Sequence, residues 1–290
     1  LGYAFVQFEN SESAQAALEH YKKQGLTAET DRIYNLNYNV DNEHSTYAST
    51  SSTWAYSFTE ADTTVNYFKN KNLNNITVGI VDSGIDYTHS MLKSRIIRTN
   101  VNFSTTGLKD NEIDDEGHGT SCAGIIAQCT PSNVKLAGFK AGNSDGKIYV
   151  SALLCTFEYI LNMSNKPDIL NMSFGGYGEP NPIETNLLKE LKESGITLIA
   201  SAGNENLDTA DSTPANDENV FAVSAFDPKG EKCTFSNYGE TVDMAAPGIN
   251  IYTTSIGGNF EYNFSGTSAS APFVSAAAAV VLMQDNTKTP

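Results

Sequence analysis

Basic residues are scarce in this 290-residue chain: 18 lysines and arginines stand against 34 aspartates and glutamates, a net charge of −16. That deficit argues against nucleic acid as the main partner, because phosphate backbones are gripped by basic surfaces. An acidic surface here reads as a solubility device. Cysteine is sparse too, at Cys122, Cys129, Cys155 and Cys233. No close pair has metal-ligand spacing and no histidine pattern accompanies Cys122 and Cys129, so the cysteines give no sign of a metal site. The four read as buried or idle thiols, with a disulfide open if the protein is exported. No apolar run reaches the roughly 20 residues that cross a bilayer. Histidine is limited to His20, His44, His89 and His118, which leaves few choices for a base near neutral pH.

What is present is a globular composition. Hydrophobic residues make up 40% and glycines number 22, which suits an α/β protein with many tight turns. The length fits one large domain with a small appendage. Both ends read as cut, since the chain opens on Leu1 and stops soon after an apolar, helix-like run from Phe273 to Met283. Asn-x-Ser/Thr triplets begin at Asn75, Asn102, Asn162, Asn171 and Asn263. Asn171 falls in a segment expected to be buried, and most of the triplets read as accidental.

Tyr3 to Phe8 reads as a strand, rich in β-formers. Ser11 then caps a helix with Ala14, Ala17, Leu18 and Tyr21 on one face, and a second strand follows over Arg32 to Leu36. This β-α-β piece is too small to bury a core alone. Gly2 to Phe8 also matches most of the aromatic strand pattern of RNA-recognition modules, although Leu1 stands where a basic residue belongs and no partner strand is visible. An RNA-binding module fused to the remainder is the alternative reading. Residues 41–53 are polar and aperiodic, as in a flexible linker. Strands at Ile76 to Val81, Ile169 to Ser173, Thr197 to Ser201 and Val220 to Ala225 alternate with helices. These run over His118 to Gln128, Tyr149 to Met163 and Glu184 to Ser194. Such alternation implies a parallel sheet covered on both faces, with chemistry at the carboxyl ends of its strands.

Several short segments carry that chemistry. In Gly266-Thr267-Ser268-Ala269-Ser270-Ala271-Pro272, Ser268 lies between small residues just before an apolar run. Small neighbours leave room for a carbonyl group, and a helix starting there aims free N–H groups at a developing negative charge. A serine nucleophile needs a base. His118, in Gly117-His118-Gly119-Thr120, is the natural one, because His20 lies in the appendage, His44 in the linker, and His89 lacks glycine flanks. A carboxylate must orient that base. Asp82, delivered by Ile80-Val81-Asp82-Ser83-Gly84-Ile85, is favoured over Asp115, which is only three residues from His118. Asn204, in Ser201-Ala202-Gly203-Asn204-Glu205, is either an amide donor or a turn residue after Gly203.

These segments, in this order, resemble the subtilisin-like serine peptidases over Trp54 to the C-terminus. The resemblance implies a three-layer α/β fold with a mainly parallel sheet, preceded by a small α+β propeptide segment. It implies an endopeptidase made as a zymogen, working through an acyl-enzyme with Asp82, His118 and Ser268 as the triad and Asn204 in the oxyanion hole. Ser173, Phe174 and Gly175 are similar to the strand that lines the family's substrate cleft, and Ala200, Ser201, Ala202 and Gly203 to a pocket wall. The walls are small or apolar, which implies an apolar or broad preference, with Asp208 and Asp211 leaving a basic one open.

On this resemblance, residues 1–40 form part of an inhibitory propeptide, 41–53 a linker with the processing site, and 54–290 a C-terminally truncated peptidase domain. Protein or peptide substrates and the chain's own propeptide are then the partners, and the protein is secreted or cell-surface. No cofactor is required. Ser121, Phe273 and Ala269 depart from the family's usual residues without removing a catalytic group. Gln128 to Ala137 lacks the asparagine- and glycine-rich loop that binds calcium in many relatives, so a structural calcium is not assignable there. Asp110, Glu112, Asp114, Asp115 and Glu116 read as a solvated acidic loop, with cation binding left open. An inactive relative serving as a binding scaffold is the remaining rival.

Overall fold

The computed structural model describes residues 4–36, 53–71, 73–104, 109–110, 112–178 and 180–284. The linker expected over 41–53 lies outside the described residues, apart from Thr53. The first half comprises α1 (Ser11–Lys23), β1 (Ile33–Leu36), α2 (Trp54–Phe58), α3 (Ala61–Phe68), β2 (Ile76–Asp82), β3 (Ile96–Asn102), β4 (Lys109–Asp110), α4 (His118–Cys129) and β5 (Val134–Lys140). Then come β6 (Lys147–Tyr149), α5 (Val150–Leu161), β7 (Ile169–Met172), β8 (Phe174–Tyr177), α6 (Pro182–Glu193), β9 (Thr197–Ser201) and β10 (Ser212–Thr213). The chain closes with β11 (Phe221–Phe226), β12 (Val242–Pro247), β13 (Ile251–Ser255), β14 (Asn259–Phe264) and α7 (Thr267–Gln284).

Seven strands lie parallel in the order β12-β11-β9-β7-β2-β5-β3, and β4 adds antiparallel beyond β3. Alternation along the central strand sets the layers. Ile76, Val78 and Ile80 of β2 enter one core with Ile125 and Ile126 of α4 and Ala279 and Met283 of α7. Val81 enters the other, with Leu153 and Phe157 of α5 and Leu187 and Leu191 of α6. Each of these buried Val, Leu, Ile, Phe and Met side chains stabilises the fold by about 1.5–3 kcal/mol relative to exposure. The result is helix, sheet, helix.

α7 differs from expectation in one respect. Over 18 residues it has the length and apolar composition of a membrane span, yet 67% of it is buried inside the protein. It is the core helix under the sheet.

The N-terminal segment departs further. Ala4 to Phe8 form no strand, and Phe5 and Val6 are exposed. A β-prone run needs a neighbouring ladder to become a strand, and propensity does not supply one. The base-stacking strand that an RNA-recognition module requires is therefore missing from residues 4–8. The helix cap is Asn10 rather than Ser11: its Oδ1 accepts the Ser13 N–H at 2.9 Å. None of the residues of α1 is buried. β1, by contrast, is inserted into a four-stranded sheet of order β10-β8-β1-β6. It runs antiparallel to both neighbours, with Tyr34 opposite Ile148, Asn35 opposite Lys147 and Gly175, and Leu36 opposite Phe174.

Candidate active site

Asp82 ends β2 at the carboxyl edge of the sheet, and Ser83 and Gly84 turn the chain there. α4 begins hard against this turn. A Cβ added to Gly119 would lie 2.0 Å from the Gly84 carbonyl oxygen, so only glycine permits the approach. The Gly119 N–H also donates to Ser83 Oγ at 3.0 Å. His118, the first residue of the helix, is thereby delivered to Asp82, with Nδ1 2.8 and 3.0 Å from the two carboxylate oxygens. A carboxylate only accepts, so Nδ1 carries the proton and the neutral ring keeps its lone pair on Nε2. Burial lowers the proton affinity of His118, but the adjacent Asp82 charge outweighs it and holds the pKa well above the ordinary 6.5. Asp115 is elsewhere, paired with Lys140 Nζ at 2.6 Å.

Ser268 is the second residue of α7. Its position is set by its neighbour Thr267, whose N–H and Oγ1 donate to Asn204 Oδ1 at 2.8 and 3.0 Å. The Gly203 N–H returns a bond to Thr267 Oγ1 at 3.0 Å. These bonds to Oδ1 fix the orientation of the Asn204 side chain at the start of α7. Ser268 Oγ donates to the Ser173 carbonyl at 2.9 Å, while Ser173 Oγ donates to the Ser268 carbonyl at 3.2 Å. Asp82, His118, Ser173 and Ser268 are all buried.

Cys122, one turn along α4, places Sγ 3.9 Å from His118 Nδ1 and donates to the Ser268 carbonyl at 3.6 Å. Asp82, His118 and Cys122 are the group of metal-type side chains that converges among the described residues. Burial raises the Cys122 pKa and keeps the thiol protonated, which suits packing better than ligation. All four cysteines are free. Asn102 and Asn171 are buried, which rules out their sequence triplets as glycan acceptors in the folded chain.

The acidic run before His118 is not simply a solvated loop. Asp114 is buried and accepts from the N–H groups of Glu116, Gly117 and Thr120 and from Thr120 Oγ1. Glu116 accepts the His118 N–H at 2.8 Å, and Glu112 accepts from Asn102. Asp114 and Glu116 thus brace the start of α4, while Glu112 is tied to β3. The side chain of Asp110 lies outside the described residues. The loop after α4 does not fit calcium either. The carbonyls of Ala127, Thr130, Pro131 and Val134 converge at 2.8, 2.6, 2.7 and 3.1 Å on the Arg95 guanidinium. Converging carbonyls of this kind are what a hard cation takes, and here an arginine holds them.

Beside the Ser268 cluster, a cavity of about 110 Å³ is lined by Gly175, Gly176, Tyr177, Ser201, Ala202, Gly203, Ser212, Thr213 and Glu205, together with Ile33 and Asn35 of β1. Ala200 is not part of this wall; it is buried in the core beneath. Asp208 and Asp211 do not line it, and Asp208 instead accepts the Ala210 N–H. The carboxylate that does is Glu205, bonded to Tyr177 Oη at 2.8 Å. It stood in the Asn204 motif, but only the fold turns it toward the cavity. Glu184 escaped the sequence reading as well. Its signal was a carboxylate in helical register with Leu187, Leu188 and Leu191, on the buried stripe of α6.

Comparison with known proteins agrees with this architecture. The Subtilase family model matches residues 74–290. Subtilisin-like protease 2 of Pseudogymnoascus destructans is 32% identical over 211 residues, covering 71% of this chain and 51% of that protein. Subtilisin amylosacchariticus of Bacillus subtilis subsp. amylosacchariticus is 33% identical over 227 residues, 74% of this chain and 57% of its own length. The chain thus spans about half the length of the curated relatives it matches. A crystal structure of a cold adapted subtilisin-like serine proteinase superposes with a TM-score of 0.69 at 27% identity, covering 76% of this chain and 81% of that one. Its fold and its sequence agree, and the chain belongs to the subtilase family.

Proposed function

We propose that this chain is a serine endopeptidase in zymogen form, with Asp82, His118 and Ser268 as its triad. The observation that carries the reading is the Asp82–His118 pair at the carboxyl edge of the sheet, beside Ser268 at the start of a helix whose first turn is tied to Asn204. For attack, Ser268 Oγ swings from the Ser173 carbonyl to His118 Nε2, which takes its proton as the oxygen adds to a peptide carbonyl. Asp82 holds the ring and stabilises the imidazolium. The Asn204 amide and the Ser268 N–H receive the oxyanion. His118 then protonates the leaving amine, and water repeats the cycle on the acyl-enzyme.

β1 supports the zymogen part of the proposal. Its ladder to Phe174 and Gly175 lies where a substrate strand would add to the sheet edge. Residues 1–40 then act as an inhibitory propeptide, and self-processing falls within residues 41–53. Peptide substrates replace β1 once it leaves. Secretion follows from the same reading. The test is labelling with a fluorophosphonate, alongside peptide hydrolysis, in wild type and Ser268→Ala. Labelling confined to wild type and a loss of about 10⁴-fold or more in turnover are expected. Equal hydrolysis by both would move the nucleophile elsewhere, and an unlabelled wild type would favour the scaffold rival.

A further inference from the structure

Tyr34 is the most deeply seated side chain among the described residues of the N-terminal segment, at 1% exposure. Its ring stacks on Phe174 with centroids 6.2 Å apart and planes 18° from parallel. Gly176 makes room on the other side, where an added Cβ would come within 2.7 Å of Tyr34 Cδ1. At the end of the pocket the Tyr34 hydroxyl donates to Glu184 Oε2 at 2.6 Å, with Thr213 Oγ1 at 3.5 Å. Glu184 is itself 1% exposed. Its second oxygen, Oε1, is buried with no hydrogen-bond partner among the described residues. A buried carboxylate in that state depends on whatever donor enters the pocket.

The register relates this pocket to the reacting centre. Leu36 faces Phe174, so the next position of a bound strand faces Ser173, whose carbonyl holds the Ser268 hydroxyl. A peptide in the register of β1 therefore presents to Ser268 the carbonyl of the residue three places after the tyrosine. We propose that the pocket floored by Glu184 selects tyrosine at the fourth residue before the cleaved bond, through a hydrogen bond from the phenol to the carboxylate. This rests on reading the β8 edge as the substrate edge. Phenylalanine fills the same space and stacks on Phe174, but strands Glu184 without a donor. A site built around a substrate hydroxyl rejects the analogue that lacks it far more strongly than an apolar pocket discriminates by size.

The test uses fluorogenic peptides identical except for tyrosine, phenylalanine or lysine at that position, with the full chain and its Glu184→Leu variant. Tyrosine should exceed phenylalanine in kcat/KM by about tenfold or more, and the ratio should fall to near one or invert in the variant. A second measurement needs no turnover. In the Ser268→Ala chain, hydrogen exchange at the Leu36 N–H, which donates to the Gly146 carbonyl at 2.9 Å, reports how firmly β1 is docked. Tyr34→Phe should speed that exchange about tenfold while Glu184 is present, and leave it unchanged once Glu184→Leu is introduced. Equal kcat/KM for tyrosine and phenylalanine, with exchange indifferent to Tyr34→Phe, overturns the proposal. Better hydrolysis of the lysine peptide overturns it in favour of plain charge pairing. Failure to cleave any peptide counts against the peptidase reading instead, and the exchange cycle alone then decides the pocket.

Discussion

Around Ser268, position is set by side chains drawn from distant parts of the sequence. Asp82 arrives on β2, His118 on α4, Ser173 between β7 and β8, and Asn204 after β9, each bonded to another member of the group or its flank. Along β1 the reverse holds. Its place is set by main-chain ladders to β6 and β8, with Tyr34 as the deep side-chain anchor. The first kind of assembly tolerates no substitution without loss of its particular chemistry. The second is of a kind that could be refilled by another strand, because a ladder accepts any extended backbone and asks for identity only where a side chain is read. On the proposed zymogen reading, one region is permanent and the other is exchanged.

Asp82→Asn tests the permanent half most severely. The amide can present the wrong donor to Nδ1, so turnover should fall by about 10⁴-fold while the fold persists. In wild type, activity should rise with pH through an apparent pKa above 6.5, because Asp82 keeps His118 protonated and unable to act as a base until then. A pH–rate profile of kcat/KM checks this, and a flat profile from about pH 5 to 9 would remove histidine from the mechanism. Asn204→Ala should cost less, about 10²–10³ in kcat with KM little changed, if its amide serves only the transition state. A comparable loss confined to KM would assign Asn204 to binding.

The exchangeable half is probed more gently through pH and stability. Burial raises the Glu184 pKa from 4.5 to about 7, opposed by the Tyr34 hydroxyl and by Arg32, and assisted by Asp217 and Glu29. The folded chain thus holds this proton where the unfolded chain has released it, and Glu184 subtracts stability as pH rises from 4.5 to about 7. Glu184→Gln should narrow the difference in Tm between pH 5 and 8, read by calorimetry. An unchanged difference would mean the carboxylate titrates normally.

Much of the permanent half was legible from the sequence. Apolar runs ending in Asp82-Ser83-Gly84 and Ser201-Ala202-Gly203 announce strand ends, and His118 and Ser268 open helices in small-residue surroundings. β5 was not legible, because Lys135 and Lys140 interrupt its apolar pattern. The cause is visible only in three dimensions: Lys140 is buried at the sheet edge, satisfied by Asp115 and the Ser83 and Gly142 carbonyls. β3 and β12 lack a clean alternation and form because neighbours recruit them. Tyr3 to Phe8 failed the other way, with strong propensity and no ladder over the described part. The partner of β1 could not be read at all, since nothing near Ile33 to Leu36 points to Phe174. Glu184 was hidden by the rule that carboxylates in amphipathic helices face water.

Arg95 carries a consequence of its own. A dissociable ion that braces a loop ties folding to its concentration outside the molecule, so dilution or a chelator drains stability away. The guanidinium that gathers the carbonyls of Ala127, Thr130, Pro131 and Val134 is covalently part of the chain. Its occupancy is one at any dilution, and that loop carries its counter-charge as inheritance rather than as equilibrium.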